Sequence, residues 1–182
     1  AYFGYAHDEA KVRAALDGAV AGREGERLRV RLLLAEDGTL TVTTAEQPVQ
    51  PPDAVMRYVI SDTRLDSTNA FLFHKTTRRE LYDREWQHYA DTLKADEVLY
   101  LNERGEIAEG SRTNVFVERG GKLFTPPLAS GLLPGVLRSA LIASGKAEEA
   151  VLTLDDLAGA NNVYVGNSVR GLVKAEPLHP LP

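Results

Sequence analysis

The sequence contains no cysteine, one methionine and one tryptophan in 182 residues. Without thiols there is no disulfide, no thiolate zinc site and no cysteine nucleophile. No apolar run approaches the roughly 20 residues that a membrane-spanning helix needs, and no signal-like start is visible. No membrane partner is therefore expected, and the cytoplasm is the expected compartment. Basic charge is scarce too: 21 lysines and arginines stand against 26 carboxylates, a formal net charge of −5. Phosphate-backbone binding normally leaves a basic footprint, so no nucleic-acid partner is expected. The four histidines, at 7, 74, 88 and 179, lack metal-ligand spacing, and no metal site is expected. There is no nucleophile-elbow serine and no glycine-rich mononucleotide loop.

What is there has a globular composition, 43% apolar and 26% charged. Asp8 is a candidate N-cap for a helix carrying Val12, Leu16 and Val20 at helical spacing. Leu28, Val30, Leu32 and Leu34 alternate with Arg29 and Arg31 as in a half-buried strand. A turn at Glu36-Asp37-Gly38 returns the chain along Leu40, Val42 and Thr44. After Pro48, Pro51 and Pro52, Val55 to Ile60 reads as another strand. A second helix is expected from Asp83 to about Lys94, with Trp86, Tyr89 and Leu93 on one face. Strands follow at 98–101, 114–117 and 123–125, separated by turns at Glu103-Arg104-Gly105 and Gly120-Gly121. A third helix is expected from Pro134-Gly135 to Gly145, and a last strong strand at 162–166. The spacing predicts an α+β protein with a small N-terminal domain over residues 1–68 and a larger one over 69–182, the boundary falling near 62–73.

Three segments resist a purely structural explanation. In Phe71-Leu72-Phe73-His74-Lys75-Thr76-Thr77 a lysine follows an apolar run; it is either a strand-end lysine reaching solvent or an amine kept nucleophilic by desolvation. In Glu109-Gly110-Ser111-Arg112-Thr113-Asn114-Val115-Phe116 the alternatives are a hairpin with a charged tip and a carboxylate aimed into a site. There, Gly110 and Ser111 would let backbone approach a ligand closely. The third comprises Leu133-Pro134-Gly135-Val136-Leu137-Arg138, a helix start with free amides suited to an anion, and Gly166-Asn167-Ser168-Val169-Arg170-Gly171, a strand end rich in small polar residues. Taken singly, each of these is an ordinary cap or turn.

Taken in order, these segments resemble the class IV aminotransferase family, the fold-type IV pyridoxal-phosphate enzymes, over essentially the whole chain. Lys75 and Glu109 lie 34 positions apart, a spacing compatible with the family's lysine and glutamate. The resemblance implies a small α/β domain and a larger one with a barrel-like sheet and flanking helices. It implies pyridoxal phosphate as cofactor, carried by Lys75, with Glu109 against its ring nitrogen. Gly135, Val136, Leu137, Asn167 and Ser168 are the expected phosphate contacts, and Arg170 the candidate for a substrate carboxylate. A small-molecule substrate and a homodimer are implied as well.

Within the family, residues 73–83 and 166–171 resemble aminodeoxychorismate lyases, including the lyase portion fused to aminodeoxychorismate synthase component I. The expected activity is therefore conversion of 4-amino-4-deoxychorismate to 4-aminobenzoate and pyruvate. The alternatives are a branched-chain or D-amino acid aminotransferase and an inactive remnant. Two departures stand out. The family's phosphate-binding arginine lies in a His-x-x-Arg-Leu segment that has no match here. Ala1 to Tyr5 resembles the stretch directly after that segment, so about thirty residues of strand, turn and helix are expected upstream. Lys174 stands where many relatives carry proline, which is expected to be neutral for chemistry.

Overall fold

A computed structural model describes residues 2–181. The chain divides into two compact units between Gln50 and Pro51. In the first, the Asp8 carboxylate accepts from the amides of Ala10 and Lys11 at 2.9 and 3.3 Å, starting helix α1 (Glu9–Val20). Strands β1 (Leu28–Leu34) and β2 (Leu40–Glu46) form an antiparallel hairpin with Leu34 opposite Leu40. The alternation read from the sequence holds: Leu28, Val30, Leu32 and Leu34 are half-buried, while Arg29 and Arg31 are exposed.

The second unit is built on one eight-stranded sheet. Its strands are β3 (Val55–Leu65), β4 (Glu97–Asn102), β5 (Ile107–Gly110), β6 (Asn114–Arg119), β7 (Lys122–Thr125), β8 (Ala147–Glu149), β9 (Asn162–Asn167) and β10 (Gly171–Pro177). The hydrogen-bonding order is β5-β4-β3-β10-β9-β6-β7-β8. Helices α2 (Glu80–Leu93), α3 (Val136–Ala143) and α4 (Leu154–Ala158) complete it. Strand β4 is buried on both faces, and its side chains alternate between two apolar clusters. Leu99 and Leu101 join Tyr58, Ile107, Val115, Val117, Val163 and Val165. Val98 and Tyr100 point the other way, where Leu81, Tyr82, Trp86 and Tyr89 of α2 pack on them.

Connectivity forces this sheet to curl. Strands β5 and β6 are five steps apart in the hydrogen-bonding order yet joined by residues 111–113 alone. Flat, five steps would separate them by about 24 Å, whereas three linking residues reach no more than about 15 Å. The barrel-like sheet implied by the resemblance follows from that short link, and the link itself becomes part of the site.

Three expectations need correction. The boundary between units lies at Gln50/Pro51 rather than near 62–73, because Val55 to Leu65 pairs with both β4 and β10 and so belongs to the large sheet. Helix α2 begins at Glu80 rather than Asp83, since Leu81 and Tyr82 extend the apolar face that packs on β4. Strand β9 is not the last: β10 runs antiparallel to it and parallel to β3, with Val173 and Ala175 buried.

Candidate active site

The turn between β4 and β5 is a fastener rather than a loose charged tip. Asn102 Nδ2 donates to the Ser130 carbonyl at 3.1 Å, and the Arg104 guanidinium to the Ala129 carbonyl at 2.8 Å. Ser130 Oγ donates to Glu106 at 2.9 Å, and Arg104 beside Glu106 holds that carboxyl down at about 2. Glu103 accepts from Ser67 N and Ser67 Oγ at 2.9 and 2.8 Å. Gly131 is needed here: a Cβ on it would stand 2.6 Å from Ser67 Cα. One turn thus pins both the chain entering Leu133 and the chain leading through the 3₁₀ turn Ala70–Phe73 to Lys75.

These segments enclose a cavity of about 180 Å³ within the second unit, whose wall includes Lys75, Glu109, Gly135, Val136, Asn167 and Ser168. Six of the eight residues singled out from the sequence are therefore brought together. Leu137 and Arg170 are not on the wall. Leu137 packs instead against β9, where its Cδ2 lies 2.8 Å from the position of a Cβ on Gly166. Arg170 closes the turn after β9, its amide donating to Asn167 Oδ1 at 3.0 Å.

Glu109 is buried on β5, 8% exposed, with both oxygens occupied. Tyr82 OH donates to Oε1 at 2.7 Å and the Leu133 amide to Oε2 at 3.0 Å. Burial dominates and pushes the carboxyl up to about 7, against the opposing influence of Leu133 N–H, Tyr82 OH, Arg79 and Lys75. Burial, and then the Glu109 charge, push the Tyr82 hydroxyl well above its ordinary value. Lys75 lines the cavity but is exposed, so the desolvated amine considered for it is not what the chain alone presents. Its influence on Glu109 is electrostatic.

The link 111–113 owes its shape to a carboxylate that sequence reasoning passed over. Glu97 is 1% exposed at the start of β4. It accepts from Ser111 Oγ, from Thr113 Oγ1 at 2.8 Å and from the Val98 amide at 3.0 Å. A Cβ on Gly110 would come within 2.4 Å of Thr113 Oγ1 and 3.1 Å of Glu97 Cδ. Gly110 is thus required by the protein's own packing, and the Ser111 hydroxyl is turned inward to Glu97. Opposite, a Cβ on Gly135 would lie 2.1 Å from Asn114 Oδ1, while Asn114 Nδ2 donates to the Leu133 carbonyl at 2.9 Å. That contact sets the first turn of α3 at the cavity wall. Asn167 holds the neighbouring turn, donating to the Arg112 carbonyl and accepting from the Val169 amide, both at 3.0 Å. Ser168 remains exposed on the wall.

Tyr82, Arg78, Arg79 and Arg112 also line the cavity, and sequence reasoning gives none of them a role. Arg79 donates to the Ser111 carbonyl at 2.5 Å and lies 3.6 Å from Asp83. A signal existed in the pair Arg78-Arg79, which follows Lys75-Thr76-Thr77 directly, and in Tyr82, seven positions after Lys75.

A model of the amino-transferase class IV family matches residues 1–176. The chain belongs to the class IV aminotransferase family. A family member from Schizosaccharomyces pombe, provisionally classed as an aminodeoxychorismate lyase, is 32% identical over 152 residues, covering 80% of this chain and 65% of that protein. The aminodeoxychorismate lyase of Saccharomyces cerevisiae is 28% identical over 193 residues, covering 83% of this chain and 52% of that protein. The chain therefore spans between half and two thirds of the length of these two relatives. A crystal structure from Mesorhizobium loti, provisionally classed as an amino-acid aminotransferase, superposes with a TM-score of 0.91 at 45% identity, covering 97% of this chain and 84% of that one. Class IV aminotransferases are pyridoxal-phosphate enzymes that act on small molecules.

Proposed function

We propose that this chain is a pyridoxal-phosphate-dependent lyase that converts 4-amino-4-deoxychorismate to 4-aminobenzoate and pyruvate. The observation that carries the reading is that Lys75 and Glu109, remote in sequence, line one cavity with the first turn of α3. The donor set fits the cofactor. Lys75 offers an amine for its aldehyde carbon, Glu109 a fixed carboxylate for its ring nitrogen, and the amides near Gly135 and Val136, with the Ser168 hydroxyl, suit its phosphate. When bound, the cofactor supplies an electron sink for the pair left as a proton departs from the amine-bearing carbon.

The chain's own residues do the rest. The Lys75 amine takes the proton from the amine-bearing ring carbon of the substrate. The Glu109 carboxylate keeps the ring nitrogen protonated, and a carboxyl poised at about 7 is readily ionised by a cationic partner. Tyr82 and the Leu133 amide hold that carboxylate in place. Breaking the bond to the neighbouring enolpyruvyl oxygen then aromatises the ring, and the departing enolate takes up a proton at its methylene carbon to become pyruvate. The lyase is preferred because two relatives bearing that assignment align over 80% and 83% of the chain.

Incubation of the cofactor-loaded protein with 4-amino-4-deoxychorismate should release 4-aminobenzoate, followed by its fluorescence. Borohydride reduction after addition of pyridoxal phosphate should tag the peptide carrying Lys75; a tag on Lys94 or Lys122 instead would remove Lys75 from its role. The 45% identity to the Mesorhizobium loti structure favours a second reading, an amino-acid aminotransferase. Conversion of a branched-chain or D-amino acid to its keto acid, with 4-amino-4-deoxychorismate untouched, would establish that second reading in place of the first.

A further inference from the structure

Lys75, Arg78, Arg79 and Arg112 line the cavity against a single carboxylate, Glu109, in a chain whose formal net charge is −5. Positive charge is thus concentrated where the chain as a whole has little. Lys75 has its place in the proposed reaction, and Arg79 is committed to the Ser111 carbonyl. The other two arginines are different. Among the described residues neither Arg78 nor Arg112 takes part in a salt bridge. Each instead sits over an aromatic ring. Arg78 Cζ is 4.1 Å from the centroid of Phe71, and Arg112 Cζ is 3.7 Å from that of Trp86.

A guanidinium over a ring uses its face for the ring and keeps the N–H groups on its edge for an in-plane partner. Those donors match a carboxylate two at a time. The ring also restricts the side chain beforehand, so less freedom is lost when a ligand arrives. An amino acid with one carboxylate and an apolar side chain would leave one of the two arginines without a ligand carboxylate, Arg112 then having only the more distant influence of Glu97 and Asp83. A substrate with two carboxylates would engage both. The cofactor phosphate is the other anion at hand, but it has separate candidate donors at Gly135, Val136 and Ser168.

We propose that Arg78 and Arg112 form a carboxylate clamp at this cavity and select substrates bearing two anionic groups over monocarboxylic amino acids. The proposal rests on the assignment of Lys75 and Glu109 as the reacting pair. It deepens the lyase reading, because 4-amino-4-deoxychorismate carries one carboxylate on its ring and one on its enolpyruvyl arm.

Calorimetric titration of the cofactor-loaded protein with two unreactive probes tests it: 3-(carboxymethoxy)benzoate, a dianion with an ether-borne carboxylate, and 3-methoxybenzoate, its monoanionic counterpart. The dianion should bind at least roughly tenfold tighter, and Arg78→Met or Arg112→Met should each remove about tenfold of that preference. Arg112→Lys, which keeps charge but loses the fork, should fall between. Pyridoxal phosphate affinity, read from its visible absorbance, should be unchanged in all three. Equal affinity for the two probes in the parent protein would overturn the clamp, as would equal losses for both probes in the variants. Loss of cofactor affinity in place of probe affinity would assign the arginines to the phosphate and likewise overturn it. Failure of the lyase reading is distinct: a dianion preference without any 4-aminobenzoate keeps the clamp and removes the lyase. Release of 4-aminobenzoate at parental kcat/KM by both Met variants does the reverse.

Discussion

A carboxyl poised at about 7 on Glu109 has a thermodynamic consequence for the cofactor-free chain. Its folded-state value lies above the ordinary 4.5, so between those two values the folded chain binds more protons than the unfolded one. Stability must then decline as pH rises from about 4.5 to 7, and the full penalty applies above that range. Glu109→Gln should flatten this part of the profile, so melting temperature should drop less between pH 5 and pH 8 in the variant than in the parent. Identical slopes would mean that the carboxyl is not shifted. Tyr82→Phe removes the donor to Oε1 and should push Glu109 up further, by about one pH unit. Carbon-13 detection of the Glu109 carboxyl across a pH series reads this directly, and an unmoved or lowered midpoint would deny Tyr82 its positioning role. Lys75 and Glu109 could be singled out in the sequence because each stands in a segment with its own local signature, and the structure brings both to one cavity. Glu97 was not, since what makes it matter is burial beneath hydroxyls 14 and 16 positions away, a relation with no local pattern.

At the scale of elements, legibility followed periodicity. The hairpin of β1 and β2 was plain because leucine and valine alternate with Arg29 and Arg31, even though Leu33 breaks the pattern on the exposed face. Strand β10 escaped because it opens on a glycine, ends on a proline and partners residues 55–58, more than 110 positions earlier. The short elements β8 and α4 have three and five residues, too few for any period to declare itself. A glycine beside a candidate carboxylate suggests room for a ligand, yet Gly110 faces Thr113 and Glu97. Gly110→Ala should therefore cost about 1–3 kcal/mol in denaturant unfolding, as overpacking typically does. Gly120→Ala meets no neighbouring atom, though its φ of +57° leaves some backbone strain. If the two substitutions cost the same, the crowding at Gly110 contributes nothing and only backbone preference is at issue.

For the molecule as a whole, the family and the α+β class were legible, and the division into units was misplaced. The proline cluster at 48–52 was visible in the sequence, but Val55 to Leu65 carries no mark of which sheet it joins. Only its pairing with β4 and β10 decides that. The two units also differ in how deeply they bury their elements. Every residue of β4 is buried, whereas no residue of α1 is. Amide hydrogen exchange in β4 should accordingly require opening of the whole second unit, while α1 should exchange orders of magnitude faster. Comparable protection in the two would show that α1 is held by more than its own unit's packing.

The three-residue link between β5 and β6 limits how the chain can change length. Gly121 sits in a turn where an added Cβ meets nothing within 4 Å, and extra residues there would simply lengthen a surface loop. Between Gly110 and Asn114 there is no such slack. An inserted residue would unseat Ser111 or Thr113 from the Glu97 carboxylate, leave a buried acid short of donors, and relax the closure that brings β5 to β6. Natural chains built on this plan should vary in length at 120–121 while the count from Glu109 to Asn114 stays fixed.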